Sequence, residues 1–151
     1  MLVRFKLNGE GIEVEVADDE RVLDLLRRLG MKGVKEGCGE GECGACTIIV
    51  NGKNVASCLM LAPELDGAEV WTIEGLAKDG KLDPVQEAFV ETGATQCGFC
   101  TPGMVMSAKA LLMKNPRPTE EEIKKGMEGN LCRCTGYFKI IEAVKKAAGE
   151  K

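Results

Sequence analysis

The sequence contains no histidine, and its aromatic residues are few. Without histidine the chain has no ligands for a Rieske centre or a Cys2His2 zinc finger, and no histidine general base. One tryptophan, one tyrosine and four phenylalanines among 151 residues argue against an aromatic platform that stacks a flavin or nucleobases. These absences leave the cysteines as the main reactive side chains.

Long apolar runs and clusters of positive charge are also missing. No apolar stretch approaches the roughly 18 residues of a membrane span, and the first residues, MLVRFKLNGEGIEVEV, lack a secretory or twin-arginine signal. The net charge is -4 and no basic stripe is present, which argues against nucleic acid as a partner. We therefore expect a cytoplasmic protein. In that reducing compartment, eight cysteines indicate metal or redox chemistry rather than disulfides.

Four of the cysteines form a first group. Cys38, Cys43 and Cys46 have the C-x4-C-x2-C spacing of a plant-type [2Fe-2S] ferredoxin loop, and Cys58 supplies a fourth thiolate. The glycine-dense segment 37–44 lets the loop curl so that backbone N–H groups approach sulfur. Structural zinc is the alternative, because C-x2-C also suits zinc, but the additional cysteine and the glycine density favour iron.

The other four cysteines have a different spacing. Cys97 and Cys100 form a C-x2-C pair, and Cys132 and Cys134 form a C-x-C pair farther along the chain. Each pair stands just before a predicted helix, whose free N–H groups favour thiolate. A thioredoxin-like dithiol is the alternative for the C-x2-C pair, but no βαβ pattern precedes it, and the C-x-C spacing is too short for an easy disulfide. Two iron-sulfur centres and electron transfer are the leading hypothesis.

The N-terminal half has the pattern of a mixed sheet with one helix. Residues 3–7 and 12–16 alternate apolar and polar side chains around an Asn-Gly turn, which predicts a β-hairpin. A helix capped by Asp18 or Asp19 and ended by Gly30 follows. A hairpin with a helix across it indicates a β-grasp. Further strands are expected at residues 47–50, from there toward residue 57, and at residues 69–73.

Residues 77–83 lose periodicity and gain glycine and lysine, which is typical of a linker. The predicted division is a domain of residues 1–76, a linker of residues 77–83 and a domain of residues 84–151. The fold class is α+β, with an N-terminal β-grasp, plant-type ferredoxin-like domain and a C-terminal four-helix [2Fe-2S]-binding domain.

Four short helices are predicted in the C-terminal half. Pro84 suits the first position of one helix, and Thr119 with Glu122 forms a capping box for another. The remaining two helices are expected to begin near Pro102 and near residues 135–136, directly after the two cysteine pairs. Their apolar stripes predict a small bundle.

With these residues in view, the chain resembles the small iron-sulfur subunit of the xanthine oxidase family, the molybdenum hydroxylases. This family includes the small subunits of carbon monoxide, aldehyde, xanthine and nicotinate dehydrogenases. The matching segments are GVKEGCGEGECGACTIIVNG, TIEGLAKDGKLDPVQEAF, QCGFCTPGMVMSAKALL, PTEEEI and GNLCRCTGY, which together span nearly the whole chain.

The resemblance implies two [2Fe-2S] clusters of defined order. The cluster nearer the flavin would be held by Cys38, Cys43, Cys46 and Cys58. The cluster nearer the molybdopterin cofactor would be held by Cys97, Cys100, Cys132 and Cys134. The resemblance also implies that Gln96 and Cys134 contact the molybdopterin cofactor, although the residues alone favour a solvent-facing Gln96.

Partners and function follow from the same resemblance. A large molybdopterin-binding subunit and a medium FAD-binding subunit are expected, with two such heterotrimers paired. The chain would pass single electrons from molybdenum to FAD within an oxidoreductase and convert no substrate itself.

Two other functions stay open on the sequence. A stand-alone two-cluster ferredoxin would be soluble without companion subunits and would expose no apolar faces. A zinc-stabilised interaction module would use the same cysteines but would be colourless and without a redox role.

Overall fold

The N-terminal half forms one mixed sheet of five strands in a computed structural model that describes residues 1–149. In the sheet the strands lie in the order β2-β1-β5-β3-β4, and only the β1–β5 pair is parallel. The sheet with a helix packed across it confirms the predicted β-grasp. The strands are β1 (Leu2–Leu7), β2 (Glu10–Glu15), β3 (Thr47–Val50), β4 (Lys53–Ala56) and β5 (Glu69–Trp71).

Two Asn-Gly turns set the register of the hairpins. Asn8 and Gly9 have φ angles of 52° and 89°, and Asn51 and Gly52 have φ angles of 50° and 82°. Two consecutive left-handed residues form the tight turn whose twist matches that of the strands, and asparagine and glycine adopt it most readily. The register then places every second residue of β1 in the core.

Helix α1 (Val22–Arg28) packs on the sheet through four buried apolar residues. Gly30 ends the helix with a φ of 94°, as predicted. The predicted cap is wrong, because Arg21 occupies the N-cap position and makes no side-chain capping hydrogen bond. Asp18 and Asp19 lie in the preceding turn, so the apolar periodicity located the helix more accurately than the capping residues did.

The C-terminal half contains the four predicted helices. The capping box is formed, since Thr119 Oγ1 accepts a hydrogen bond from Glu122 N at 3.2 Å and Glu122 Oε1 accepts one from Thr119 N at 3.0 Å. The inward faces of the four helices form one buried apolar cluster. The helices are α2 (Pro84–Glu91), α3 (Thr101–Lys114), α4 (Glu120–Met127) and α5 (Phe138–Ala147).

The start of α5 differs from the prediction. The helix begins at Phe138 rather than near residues 135–136, because Gly136 and Tyr137 have φ angles of 67° and 74°. Two successive left-handed residues cannot belong to a right-handed helix. The Cys132–Cys134 pair therefore lies in a loop and not directly at a helix N-terminus.

The two halves pack against each other through β3 and α3. Ile49 of β3 forms a small buried cluster with Met106 and Ala110 of α3. Residues 77–83 lie between a short 3-10 helix, Ile73–Gly75, and α2. The predicted boundaries at residues 77–83 stay a prediction, and residues 150–151 of the predicted second domain lie outside the described residues. Among residues 1–149, no helix is long and apolar enough to cross a membrane.

Candidate iron-sulfur centres

The loop between α1 and β3 wraps around the sulfur of Cys38. Backbone N–H groups of Glu40, Glu42 and Cys43 donate hydrogen bonds to Cys38 Sγ at 3.2, 3.2 and 3.4 Å. These hydrogen bonds, with that from Glu40 the strongest, lower the pKa of the Cys38 thiol to about 7. The thiolate is the form that binds iron, so the loop is arranged in advance for an anionic sulfur.

Cys43 lies on the same loop beside Cys38. Its sulfur accepts hydrogen bonds from the N–H groups of Cys38 and Ala45, each at 3.4 Å. A Cβ atom at Gly37 would lie 2.6 Å from Cys43 Sγ, so only glycine leaves room for that sulfur. The sequence correctly predicted that this glycine-dense segment would bring backbone N–H groups onto sulfur.

The β3–β4 hairpin brings Cys46 to Cys58. Cys46 directly precedes β3, and Cys58 lies in the 3-10 helix that follows β4, with both residues buried. Burial is the main cause that raises the pKa of the Cys58 thiol to about 11, and the hydrogen bond with Cys46 is the second. A buried thiol of this kind ionises when a cation replaces its proton, which suits a metal ligand.

The other four cysteines also come together, as two pairs. Cys100 is the N-cap residue of α3, and its thiol hydrogen-bonds with that of Cys132. The thiol of Cys97 hydrogen-bonds with that of Cys134. Each pair therefore joins one cysteine before α3 to one in the loop before α5.

The electrostatics of Cys100 and Cys132 differ. Burial is the main cause that raises the pKa of the Cys100 thiol to about 12, and the neighbouring Cys132 is the second. Burial also acts to raise the pKa of Cys132, but several hydrogen bonds together outweigh it and lower that pKa, the leading ones from Thr135 Oγ1 at 3.1 Å and Thr135 N at 3.4 Å. Thr135 thus supplies the anion stabilisation that the sequence had assigned to the N-terminus of α5.

Tyr137 completes this loop and was missed by the sequence reasoning. Its hydroxyl accepts a hydrogen bond from Cys132 N at 2.9 Å, and its own N–H donates to Thr135 Oγ1 at 3.2 Å. A left-handed backbone is costly for a tyrosine and persists only where surrounding contacts enforce it. The only tyrosine of the sequence, three residues after a cysteine pair, was the signal available.

One edge of the second group is open to solvent. Cys97 and Cys134 are exposed, as is Gln96 next to them, whereas Cys100 and Cys132 are half-buried. The predicted molybdopterin contacts, Gln96 and Cys134, therefore both lie at the surface.

The donor sets fit [2Fe-2S] clusters. Each cluster needs four thiolates, two on each iron, and each group supplies four cysteines whose sulfurs are arranged in twos. Within residues 1–149, no three of the acidic and cysteine side chains meet as they would around a single metal ion. In the first group, the backbone N–H groups directed at Cys38 would stabilise the negative charge of such a cluster.

Comparison with known proteins identifies the family. A model described as "2Fe-2S iron-sulfur cluster binding domain" matches residues 5–77, and one described as "[2Fe-2S] binding domain" matches residues 72–145. The small FeS subunit of nicotinate dehydrogenase from Eubacterium barkeri is 56% identical over 96% of this chain and 93% of that protein. The chain belongs to the small iron-sulfur subunits of the xanthine oxidase family.

Solved structures of this family have the same fold. Quinoline 2-oxidoreductase from Pseudomonas putida 86 superimposes with a TM-score of 0.94 and 42% identity, over 98% of this chain and 92% of that chain. Aldehyde oxidoreductase from Desulfovibrio gigas superimposes with a TM-score of 0.95 and 40% identity. The match covers 99% of this chain but only 17% of that much longer chain. As a xanthine oxidase family small subunit, the chain carries two [2Fe-2S] clusters and transfers electrons within an oxidoreductase, as predicted. The individual ligand assignments stay predictions.

Proposed function

We propose that this chain passes single electrons from a molybdopterin cofactor on a large partner subunit to FAD on a medium partner subunit. When bound, each [2Fe-2S] cluster accepts and releases one electron. We assign Cys97, Cys100, Cys132 and Cys134 to the molybdenum-side cluster. We assign Cys38, Cys43, Cys46 and Cys58 to the flavin-side cluster.

The observation that carries the proposal is a main-chain hydrogen bond between the loops that carry the two cysteine groups. The carbonyl oxygen of Cys43 accepts a hydrogen bond from Leu131 N at 2.9 Å. Leu131 is covalently joined to Cys132, so a short path of bonds with one hydrogen bond connects a proposed ligand of each cluster. This contact supports two centres that work in series within one chain.

The exposure of the cysteines also supports two centres in series. The first group reaches the surface at Cys38, and the second reaches it at Cys97 and Cys134. Cys43 and Cys132, which lie toward the contact between the groups, are half-buried. Each group thus has one side directed at solvent and one side directed at the other group.

Gln96 extends the exposed edge of the second group. It is exposed and directly precedes Cys97, whose thiol pairs with that of Cys134. An amide here offers both donors and an acceptor to a polar heterocycle held by another subunit. We therefore include Gln96 and Cys134 as contacts to the molybdopterin cofactor.

Exposed apolar side chains favour a subunit over a stand-alone ferredoxin. Leu59 follows Cys58 and is 65% exposed, Leu131 precedes Cys132 and is 55% exposed, and Phe138 at the start of α5 is 83% exposed. Apolar side chains concentrated beside functional loops are typical of protein interfaces. In the longer aldehyde oxidoreductase chain, the corresponding unit is covalently joined to the rest of the enzyme.

Metal analysis and electron paramagnetic resonance (EPR) test the cluster assignment. We expect about four irons and four acid-labile sulfides per chain, and two distinguishable signals after reduction with dithionite. Zinc in place of iron would contradict the proposal and support the interaction module.

Co-expression tests the partners. With molybdopterin-binding and FAD-binding subunits from the same source, we expect a stable complex in which substrate reduces both clusters. Failure of the chain to co-purify, with a monomeric chain on gel filtration, would support the stand-alone ferredoxin. Pairing of two heterotrimers and a cytoplasmic location stay predictions of the sequence.

A further inference from the structure

A buried asparagine occupies the junction between the two cysteine loops. Asn130 is 5% exposed, and its side chain makes hydrogen bonds to three other residues. Its Nδ2 donates to the carbonyl oxygen of Gly44 at 3.1 Å and to Thr47 Oγ1 at 3.4 Å, and its Oδ1 accepts from Ser107 Oγ at 2.6 Å. The amide thereby joins the first cysteine loop, β3 and α3.

The position of Asn130 relative to the cysteines is specific. Asn130 and Leu131 are consecutive, and so are Cys43 and Gly44. The Asn130 side chain binds the carbonyl oxygen of Gly44, while the Leu131 main chain binds that of Cys43. Two successive residues before Cys132 therefore hold two successive carbonyls of the first loop.

Glycines at two positions allow this close approach. A Cβ atom at Gly44 would lie 2.5 Å from Asn130 Nδ2, and a Cβ atom at Gly103 would lie 2.2 Å from the Gly44 carbonyl oxygen. Either contact is closer than real Cβ atoms tolerate. Gly44 is therefore enclosed by α3 and by Asn130, and the first cysteine loop lies in direct contact with both.

The carbonyl oxygen of Gly44 does not depend on Asn130 as its only hydrogen-bond donor. The Gly44 carbonyl also accepts from Thr47 N at 3.1 Å and from Thr47 Oγ1 at 2.7 Å. Loss of the Asn130 donor therefore does not leave the Gly44 carbonyl oxygen unpaired. The Ile49–Met106–Ala110 packing also holds the two halves together without Asn130.

We propose that Asn130 is a positioning residue that fixes the separation of the two cluster-binding loops and thereby sets the rate of electron exchange between them. The rate depends on the proposed function, whereas the separation does not. Asn130 ligates neither cluster, and its effect is transmitted through Gly44 and Leu131.

Substitution of Asn130 by aspartate tests the proposal. Asn130→Asp keeps the size of the side chain, and its ionised carboxylate replaces the Nδ2 donor by an oxygen that repels the Gly44 carbonyl oxygen. The charge at this buried position also lowers stability, which thermal unfolding measures separately. Ser107→Ala is a milder second variant, because it removes only the donor that orients the amide. Asn54→Asp, at an exposed position of β4, is the matched control for the change of charge.

Two measurements on the full chain with both clusters give the readout. The EPR splitting from magnetic interaction between the two reduced clusters reports their separation, because this interaction falls steeply with distance. Within the assembled complex, rapid-reaction spectroscopy reports how fast an electron passes from one cluster to the other. Iron content and thermal unfolding are recorded in parallel.

We expect Asn130→Asp to retain both clusters, to show a smaller splitting and to exchange electrons more slowly, because both quantities fall as the two loops move apart. Ser107→Ala should show a smaller change in the same direction, and Asn54→Asp should match the unsubstituted chain. A lower unfolding temperature with unchanged splitting and rate would overturn the proposal and leave Asn130 a purely structural residue.

Two further outcomes are distinguishable. If Asn130→Asp does not assemble both clusters, the test rests on Ser107→Ala. An unchanged EPR splitting in that variant overturns the proposal. An unsubstituted chain whose clusters exchange no electron would contradict the proposed function itself, while the splitting in the variants would still test the separation.

Discussion

Single residues stabilise the two cysteine groups by different means. The sulfur of Cys38 receives its hydrogen bonds from three backbone N–H groups. The sulfur of Cys132 receives one of its hydrogen bonds from a side-chain hydroxyl, that of Thr135. The hydrogen bonding of the second group can therefore be altered by substitution, whereas that of the first depends on the path of the backbone.

Thr135→Val should lower the reduction potential of the second cluster. Valine keeps the shape of threonine but removes the hydroxyl donor, and donors to a ligand sulfur stabilise the reduced, more negative centre. An EPR-monitored redox titration of the full chain should show one signal shifted to lower potential and the other unchanged. Thr135→Ser, which keeps the hydroxyl, is the control, and identical potentials in all three proteins would contradict this role.

Tyr137→Phe should weaken retention of the second cluster. The change removes the oxygen that accepts the Cys132 N–H, so the loop loses a contact that holds its ligand in place. Loss of a supporting contact of this kind commonly costs about tenfold or more in metal affinity. A chelator should remove iron from the second cluster faster while the first is retained. Equal rates for the variant and the unsubstituted chain would show that the hydroxyl is dispensable.

The sequence predicted the grouping of the cysteines but not the residues that support them. Cysteine spacing is a local property, so each group of four could be assembled from its own motif. Asn130 and Gly44 are separated by 86 positions, and no periodicity or turn signal relates two residues so far apart. The roles of Thr135 and Tyr137 depend on two left-handed residues, Gly136 and Tyr137, that shorten α5.

At the scale of elements, α3 serves both halves of the molecule. Cys100 is its N-cap residue, Gly103 in its first turn packs on Gly44, and its middle packs on β3. The helix therefore connects the second cysteine group to the sheet that carries the first. This dual role explains why its buried residues lie on more than one face.

Gly103→Ala should destabilise the junction between the halves. The added Cβ would lie 2.2 Å from a backbone oxygen that cannot move away without shifting the first cysteine loop. Overpacking of this kind costs about 1–3 kcal/mol, more than the gain in helix propensity of about 1 kcal/mol. Thermal unfolding with cluster absorbance as a second probe measures the loss.

Gly126→Ala in α4 is the matched control. Its Cβ would approach only the flexible side chain of Leu111, at 3.0 Å or more. The same gain in helix propensity should then leave the protein unchanged or slightly more stable. Equal destabilisation by the two substitutions would show that the Gly44 contact does not limit the packing.

The helices and strands were predicted well where the sequence pattern that predicts them is local. Alternation and Asn-Gly turns located both hairpins, and the Thr119 capping box located α4. The cap of α1 was wrong because Asp18 and Asp19 belong to a turn that precedes the helix. Capping preferences are weaker than the apolar pattern that buries the helix against the sheet.

At the scale of the whole molecule, the two proposed ligand sets come from different halves of the chain, each with its own buried apolar cluster. Cys43→Ser should therefore abolish one EPR signal and leave the other, because the second group takes all four thiolates from the C-terminal half. The main-chain contact of Cys43 with Leu131 is retained in this variant. Loss of both signals from a folded protein, judged by circular dichroism, would contradict the partition of the ligands.

The contact between Cys43 and Leu131 has an evolutionary consequence. Both of its atoms belong to the main chain, and the side chain of Leu131 is directed mostly to solvent. Every residue except proline can supply the required N–H. Descendants of this chain can therefore vary position 131 to match new partner subunits while the main-chain hydrogen bond to Cys43 is inherited unchanged.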